Sequence, residues 1–151
     1  MNKALAIIVI VVLAACASQK PSSTSAKGNT RTTKVQYLDE NTYLLTEQST
    51  EKSYGFYQSN PVKVGSSGGS GPVNERRFLR ALLGPNGEEL RFARAGSCCP
   101  FKTPNGLIEN MGMLDQYRVT WEGARDTLTI FINMYDEGDL KIPVGLTARK
   151  K

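Results

Sequence analysis

Two cysteines stand side by side in this chain, Cys98 and Cys99, followed at once by Pro100. Paired thiols can form a disulfide, hold a metal or attack a substrate, and adjacency constrains all three. Neighbouring Cα atoms lie about 3.8 Å apart across a trans peptide, below the roughly 4.4–6.8 Å usual for a disulfide. A bond between them closes an eight-membered ring under strain and is easily reduced, and labile disulfides are the regulatory ones. Several readings stay open: a ring that stiffens its loop, two thiols that simply pack, a redox or ligand-sensing switch, and a metal or intermolecular link. The usual thiol oxidoreductase places two residues between its cysteines, and this pair has none. Zinc would need two more ligands, which only carboxylates such as Glu109 or Asp115 supply here, and adjacent thiolates span two vertices of a tetrahedron poorly. No metal and no cofactor are expected.

The chain contains no histidine, which removes the commonest general base and the commonest zinc ligand together. No serine has a visible base partner, and no carboxylate pair has a catalytic context, so no catalytic residue is assigned. Asp115 is a candidate because it falls on the inward phase of a strand, and a buried carboxylate must be paired or hydrogen-bonded. It is expected either to bond the Cys98 loop or to share a binding site with Asn133 and Tyr135 on the next strand, with Asn105 nearby. The glycine-rich loop at 65–71 enters a helix as phosphate cradles do, but it lacks the nucleotide-binding spacings and reads as a connector. Arg76, Arg77 and Arg80 on that helix suit an acidic partner or a solvated face, with Arg76 and Arg80 kept as candidate binding residues.

These residues need elements to hold them. Phe78/Leu82 and Leu79/Leu83 stand four apart and form an apolar stripe, which predicts a helix over about 73–83 that Gly84-Pro85 stops and that Glu75 opens in its first turn. Met113, Tyr117, Val119 and Trp121 alternate with polar residues, as do Leu128, Ile130, Ile132 and Met134, so two long antiparallel strands are expected. Short strands are expected at 35–38, 42–45, 53–57 and 62–64, with Asn60-Pro61 marking an edge or bend. Asn86-Gly87 is a tight-turn signal, Leu90 and Phe92 start a strand, and the stretch from 95 to 112 reads as an irregular loop. The expected fold class is α+β: a mainly antiparallel sheet with one packed helix, in a single domain over 34–148.

The first sixteen residues decide where that domain works. Lys3 precedes an apolar run over 4–14, which ends in Leu13-Ala-Ala-Cys16. The run is short of the roughly 20 apolar residues a spanning helix wants, and it has the layout of an export signal. Leu13-Ala-Ala-Cys16 resembles a bacterial lipobox. The resemblance implies cleavage after residue 15, lipid on the Cys16 thiol and an acylated new N-terminus, so Cys16 forms no disulfide. Cys98 and Cys99 are then the only thiols left, in a compartment that favours oxidation. The mature chain has 151 − 15 = 136 residues, and losing Lys3 leaves 18 basic against 14 acidic side chains, a charge of about +4. That mild excess suits anionic lipid surfaces, and no charge block marks a nucleic-acid site. Residues 16–33 carry no large apolar side chain and read as a lipidated tether. Ala17 and Ser18 stand where lipoproteins kept at the inner membrane often carry Asp, so the resemblance favours the outer membrane.

The run from Asn60-Pro-Val-Lys-Val-Gly65, through Gly71-Pro-Val-Asn-Glu-Arg-Arg-Phe-Leu79 and Gly96-Ser-Cys-Cys-Pro100, to Ile132-Asn-Met-Tyr-Asp136 resembles a group of small lipoproteins of the Bacteroidota. That group sometimes carries the label 2-dehydro-3-deoxyphosphooctonate aldolase. Such an aldolase is a barrel of about 250 residues, and this chain has neither that length nor alternating strands and helices. The resemblance brings context and no catalytic residue. The expected function is a membrane-anchored envelope protein that binds a protein or envelope ligand without catalysis; the alternative is a thiol-redox-responsive module or small enzyme around Cys98-Cys99.

Overall fold

The computed structural model of the chain describes residues 28–67 and 70–151. The expected export signal over 1–15, Cys16 and the expected tether up to residue 27 lie outside the described residues. Residues 28–33, which composition assigns to the tether, are instead bound to the domain. Thr30 N–H donates to Glu137 O at 2.6 Å. The Arg31 guanidinium donates to the carbonyls of Gly138 and Val64, and Asp139 accepts from the hydroxyls of Thr32 and Thr33. Without large apolar side chains the segment is held by hydrogen bonds and by an ion pair between Arg31 and Glu137 at 3.4 Å, which composition does not foretell.

In chain order the elements are β1 (Gln36–Asp39), β2 (Thr42–Leu44), β3 (Val62–Lys63), α1 (Gly71–Ala81), β4 (Leu82–Leu83), β5 (Arg91–Lys102), β6 (Met111–Thr120), β7 (Leu128–Asn133) and β8 (Thr147–Ala148). The main sheet has the order β3-β7-β6-β5, antiparallel except for the β3–β7 pair, and β1-β2 and β4-β8 are two-stranded ladders. The fold is α+β with a single helix. Among the described residues no helix is long and apolar enough to cross a membrane.

The Ser70 hydroxyl caps α1 by accepting from Val73 N–H, and Pro72 sits in the first turn, where its missing N–H costs nothing. The helix ends two residues before the expected 83. Leu82 turns extended, and Leu82 and Leu83 pair with Ala148 and Thr147 instead of completing a helical turn. Phe78 and Leu79 pack against Tyr117, Val119, Ile130 and Ile132 of the sheet and Tyr43 of β2, which together form the core. Residues 53–57 form turns where a strand is expected. The place of β3 at the sheet edge agrees with Asn60-Pro61 before it.

The largest departure is β5. Its glycine, two cysteines and proline read as breakers, yet the strand runs unbroken over twelve residues beside β6. Two bulges reconcile them: the register shifts between Arg94 and Gly96 and again between Cys98 and Pro100. Each bulge drops one residue from the ladder, so the pairing resumes beyond it.

Candidate functional site

Side chains of a strand alternate between faces, so a sheet packed against a helix on one side has a second surface to dispose of. On β6 and β7 the residues Asp115, Tyr117, Val119, Ile130 and Ile132 go to the helix side, and all are buried. Leu114, Phe131 and Asn133, on the opposite phase, floor a half-open groove of about 1290 Å³. Lys63 of β3 and Phe101 of β5 continue that floor, and the segment 49–60 arches over one side. Hydrogen bonds hold the arch, among them those from Phe131 N–H to Gly55 O, from Gly55 N–H to Asn60 O and from Ser49 N–H to Ile142 O, each 2.8 Å. It carries Phe56, Tyr57 and Gln58 to the rim. The volume exceeds the roughly 300–1,000 Å³ of drug-sized pockets.

Phe101, Phe131, Tyr57 and Met111 stand outside the hydrophobic core, and all four line the groove. Phe101 is set edge-on against Tyr135, ring centroids 6.0 Å apart. Gly112 makes room for that pair: a Cβ there would lie 2.8 Å from Phe101 Cζ and 2.9 Å from Tyr135 Cδ2. Lysines 63, 102 and 141 supply positive charge, with Lys141 bonded to Glu47 at 2.6 Å. At the polar end Asp139 is held well below the usual carboxylate range by the hydroxyls and amides of Thr32 and Thr33. Apolar faces, amides and a few charges thus meet in one concavity.

Cys98 and Cys99 are joined as a disulfide, Cα atoms 3.7 Å apart, and Cys99 lies in the groove wall. The bulge makes this bond feasible. In a regular strand successive side chains point to opposite faces, whereas Cys99 drops out of the ladder and takes φ 57, a left-handed conformation uncommon outside glycine. Among the described residues no three histidine, cysteine, aspartate or glutamate side chains gather as metal ligands.

The structure brings some of the expected site residues together and separates others. Asn105 and Asn133 meet through Asp136, whose buried carboxylate accepts from both amides at 2.9 Å and from the Thr103 hydroxyl. Asp115 is not with them. The register pairs it with Ser97 and Ile132 on the helix side, while Asn133 faces the groove. Its oxygens take the Arg94 guanidinium at 2.7 Å through two nitrogens and the Ser97 hydroxyl at 2.7 Å. A bond to the residue before Cys98 is the first of its two expected roles. Burial pushes the Asp115 carboxyl up, and Arg94 and Ser97 outweigh it, holding it below its ordinary range. Tyr135 belongs to the groove's border through Phe101. Arg76 and Arg80 sit on α1 and do not line the groove; the Arg80 carbonyl accepts from the Arg149 guanidinium at 2.7 Å, and Arg76 lies near enough to Tyr117 to act on its hydroxyl.

Glu75 departs furthest from expectation. It lies past the first turn and points into the protein, fully buried, its Oε2 accepting from the Tyr117 hydroxyl at 2.8 Å. Among the described residues its Oε1 has no hydrogen-bond partner, and the nearby Asp115 carboxylate adds to the upward push on the carboxyl. Burial raises the carboxyl to about 7, and the Tyr117 hydrogen bond offsets only part of that.

The groove residues missed in the sequence had one signal. Phe131 stands on the polar phase of its strand with Thr127, Thr129 and Asn133, and a large apolar residue there needs a reason. Compared with protein-family models, curated proteins and solved structures, the chain matches none.

Proposed function

We propose that this is a lipid-anchored bacterial envelope protein, attached through Cys16 and most consistent with the outer membrane, whose domain is a non-catalytic binding module. The back-face groove is its ligand site. The observation that carries this reading is the convergence of Phe101, Phe131, Tyr57 and Met111, all outside the core, on one groove of about 1290 Å³. Unclaimed large apolar side chains gathered in one concavity with a few polar groups are the usual make-up of a ligand site. The leader ending in Cys16 and the resemblance to small lipoproteins of the Bacteroidota support the location. The ligand is an envelope molecule or a protein segment, and nucleic acid has no place in this reading.

Native mass spectrometry of the protein released from its own membranes tests it. A co-purifying mass is expected, lost in Phe131→Glu while cooperative unfolding is kept. A bare wild-type chain, or a bound mass indifferent to Phe131→Glu, would count against the groove. The disulfide in the groove wall favours one second reading, a thiol-redox-responsive module. That reading requires reduction by a dithiol to change what the groove holds, and equal binding by oxidised and reduced protein eliminates it.

A further inference from the structure

We infer that the tip of the β5–β6 hairpin, Leu107 and Ile108, is the domain's contact with the lipid surface to which Cys16 ties it. The inference rests on the anchoring proposed above. These neighbours are 81% and 76% exposed, the two most exposed large apolar side chains among the described residues. Single exposed apolar residues are ordinary; an adjacent pair on a rigid tip is not.

The tip is built to keep them out. Met111 N–H donates to Ile108 O at 2.8 Å, closing a turn whose central residues Glu109 and Asn110 have φ 48 and 57. Positive φ at both central positions is the geometry of the tightest hairpin turns. Thr103 N–H donates to Asn110 O at 2.8 Å, and the Thr103 hydroxyl is bound to the buried Asp136. Gly106 lies so close to Met111 that a Cβ there would sit 2.5 Å from its backbone nitrogen and oxygen. The loop therefore cannot fold inward to cover its own apolar pair.

The path of the chain says what covers it. Asn29 and Asn105 are hydrogen-bonded at 2.9 Å, and a Cβ on Gly28 would lie 2.9 Å from Pro104 Cγ. The described chain thus starts against the hairpin's root. Eleven residues, 17–27, separate Gly28 from Cys16. Fully extended they reach at most about 40 Å, so an anchor at Cys16 keeps the hairpin close to the bilayer. Those eleven residues include no large apolar side chain and are themselves no partner for Leu107 and Ile108. Lys102 at the hairpin's foot and Glu109 at its turn balance in charge, so the contact is apolar and independent of salt. It would sit at the depth of an interfacial segment, about 5–10 Å into the headgroup and acyl boundary.

The test uses the natural acylated protein in phosphatidylethanolamine/phosphatidylglycerol vesicles, carrying Ile108→Trp in a Trp121→Phe background. Ile108 is exposed and Trp121 is packed against the core, so folding is checked by unfolding midpoint against a Trp121→Phe control. Expected is quenching of the new tryptophan by lipids brominated near the top of the acyl chain, unchanged at high salt. Equal emission with and without bromine, on protein whose Cys16 is acylated by mass spectrometry, overturns the inference and leaves the anchor standing. An unacylated Cys16 overturns both. Quenching that salt abolishes, or a dimer that Leu107→Ser with Ile108→Ser dissociates, also overturns it, by assigning the tip to headgroup charge or to a second copy.

Discussion

Replacing Glu75 by glutamine should make the protein more stable at pH 8 and nearly neutral in effect at pH 4.5. Glu75 is fully buried under α1, with one oxygen on the Tyr117 hydroxyl and the other without a partner. Its carboxyl is raised from 4.5 to about 7, first because burial penalises the charge and then because the ionised Asp115 lies near. The folded protein holds this proton more tightly than the unfolded chain. Its stabilising contribution is therefore full below pH 4.5 and lost as pH rises through 7. A shift of that size corresponds to about 3 kcal/mol. Glutamine has no charge to bury; its amide can donate toward Asp115 and its oxygen can still accept from Tyr117. The variant should gain up to about 3 kcal/mol over wild type at pH 8, on the order of 10 °C in melting temperature for a domain of this size. Urea titrations of both proteins from pH 4.5 to 8.5 read it directly, because carboxyls remote from Glu75 contribute equally to each and cancel in the difference, while Asp115, which is coupled to Glu75, is held below its ordinary range and stays ionised across that window. Parallel stability profiles would refute the reasoning, since they would mean that Glu75 titrates alike in folded and unfolded chains.

Replacing both Cys98 and Cys99 by serine should cost only about 1 kcal/mol, because so short a loop removes little unfolded-chain entropy. Serine at 98 with glycine at 99 should recover part of it, since position 99 has φ 57; denaturant midpoints check both. Asp136→Ala should cost roughly 2–4 kcal/mol by leaving the Thr103 hydroxyl and the Asn133 amide without an acceptor, while the Asn105 amide keeps its bond to Asn29, seen in the urea midpoint. Gly112→Ala should cost about 1–3 kcal/mol by driving a methyl into the Phe101–Tyr135 pair, with a matching change in near-ultraviolet circular dichroism.

The elements that periodicity could reveal were legible. Phe78 and Leu79 mark the buried stripe of α1, and Tyr117, Val119, Ile130 and Ile132 mark the core side of the two long strands, because alternation and the four-residue repeat follow from backbone geometry alone. The same reasoning broke on β5, where Gly96, the cysteines and Pro100 suggested a loop and two bulges made a strand. It also placed Glu75 in the first turn of the helix. Only packing distance to Tyr117 shows that this carboxyl lies in the core. Asp115 was readable as buried, but not as the partner of Ser97, which comes opposite it only because the first bulge shifts the register.

The sequence by itself determined the fold class, the helix stripe and the adjacency of the two cysteines, all properties of residues near one another in the chain. The tertiary structure alone decided that Phe101, Phe131 and Tyr57 share a groove, that Asp136 joins Asn105 to Asn133, and that Gly28 and Asn29 lie against the hairpin carrying Leu107 and Ile108. Those are contacts across tens of residues. They depend on sheet order and on bulges that each shift the register by one, and no local pattern encodes either.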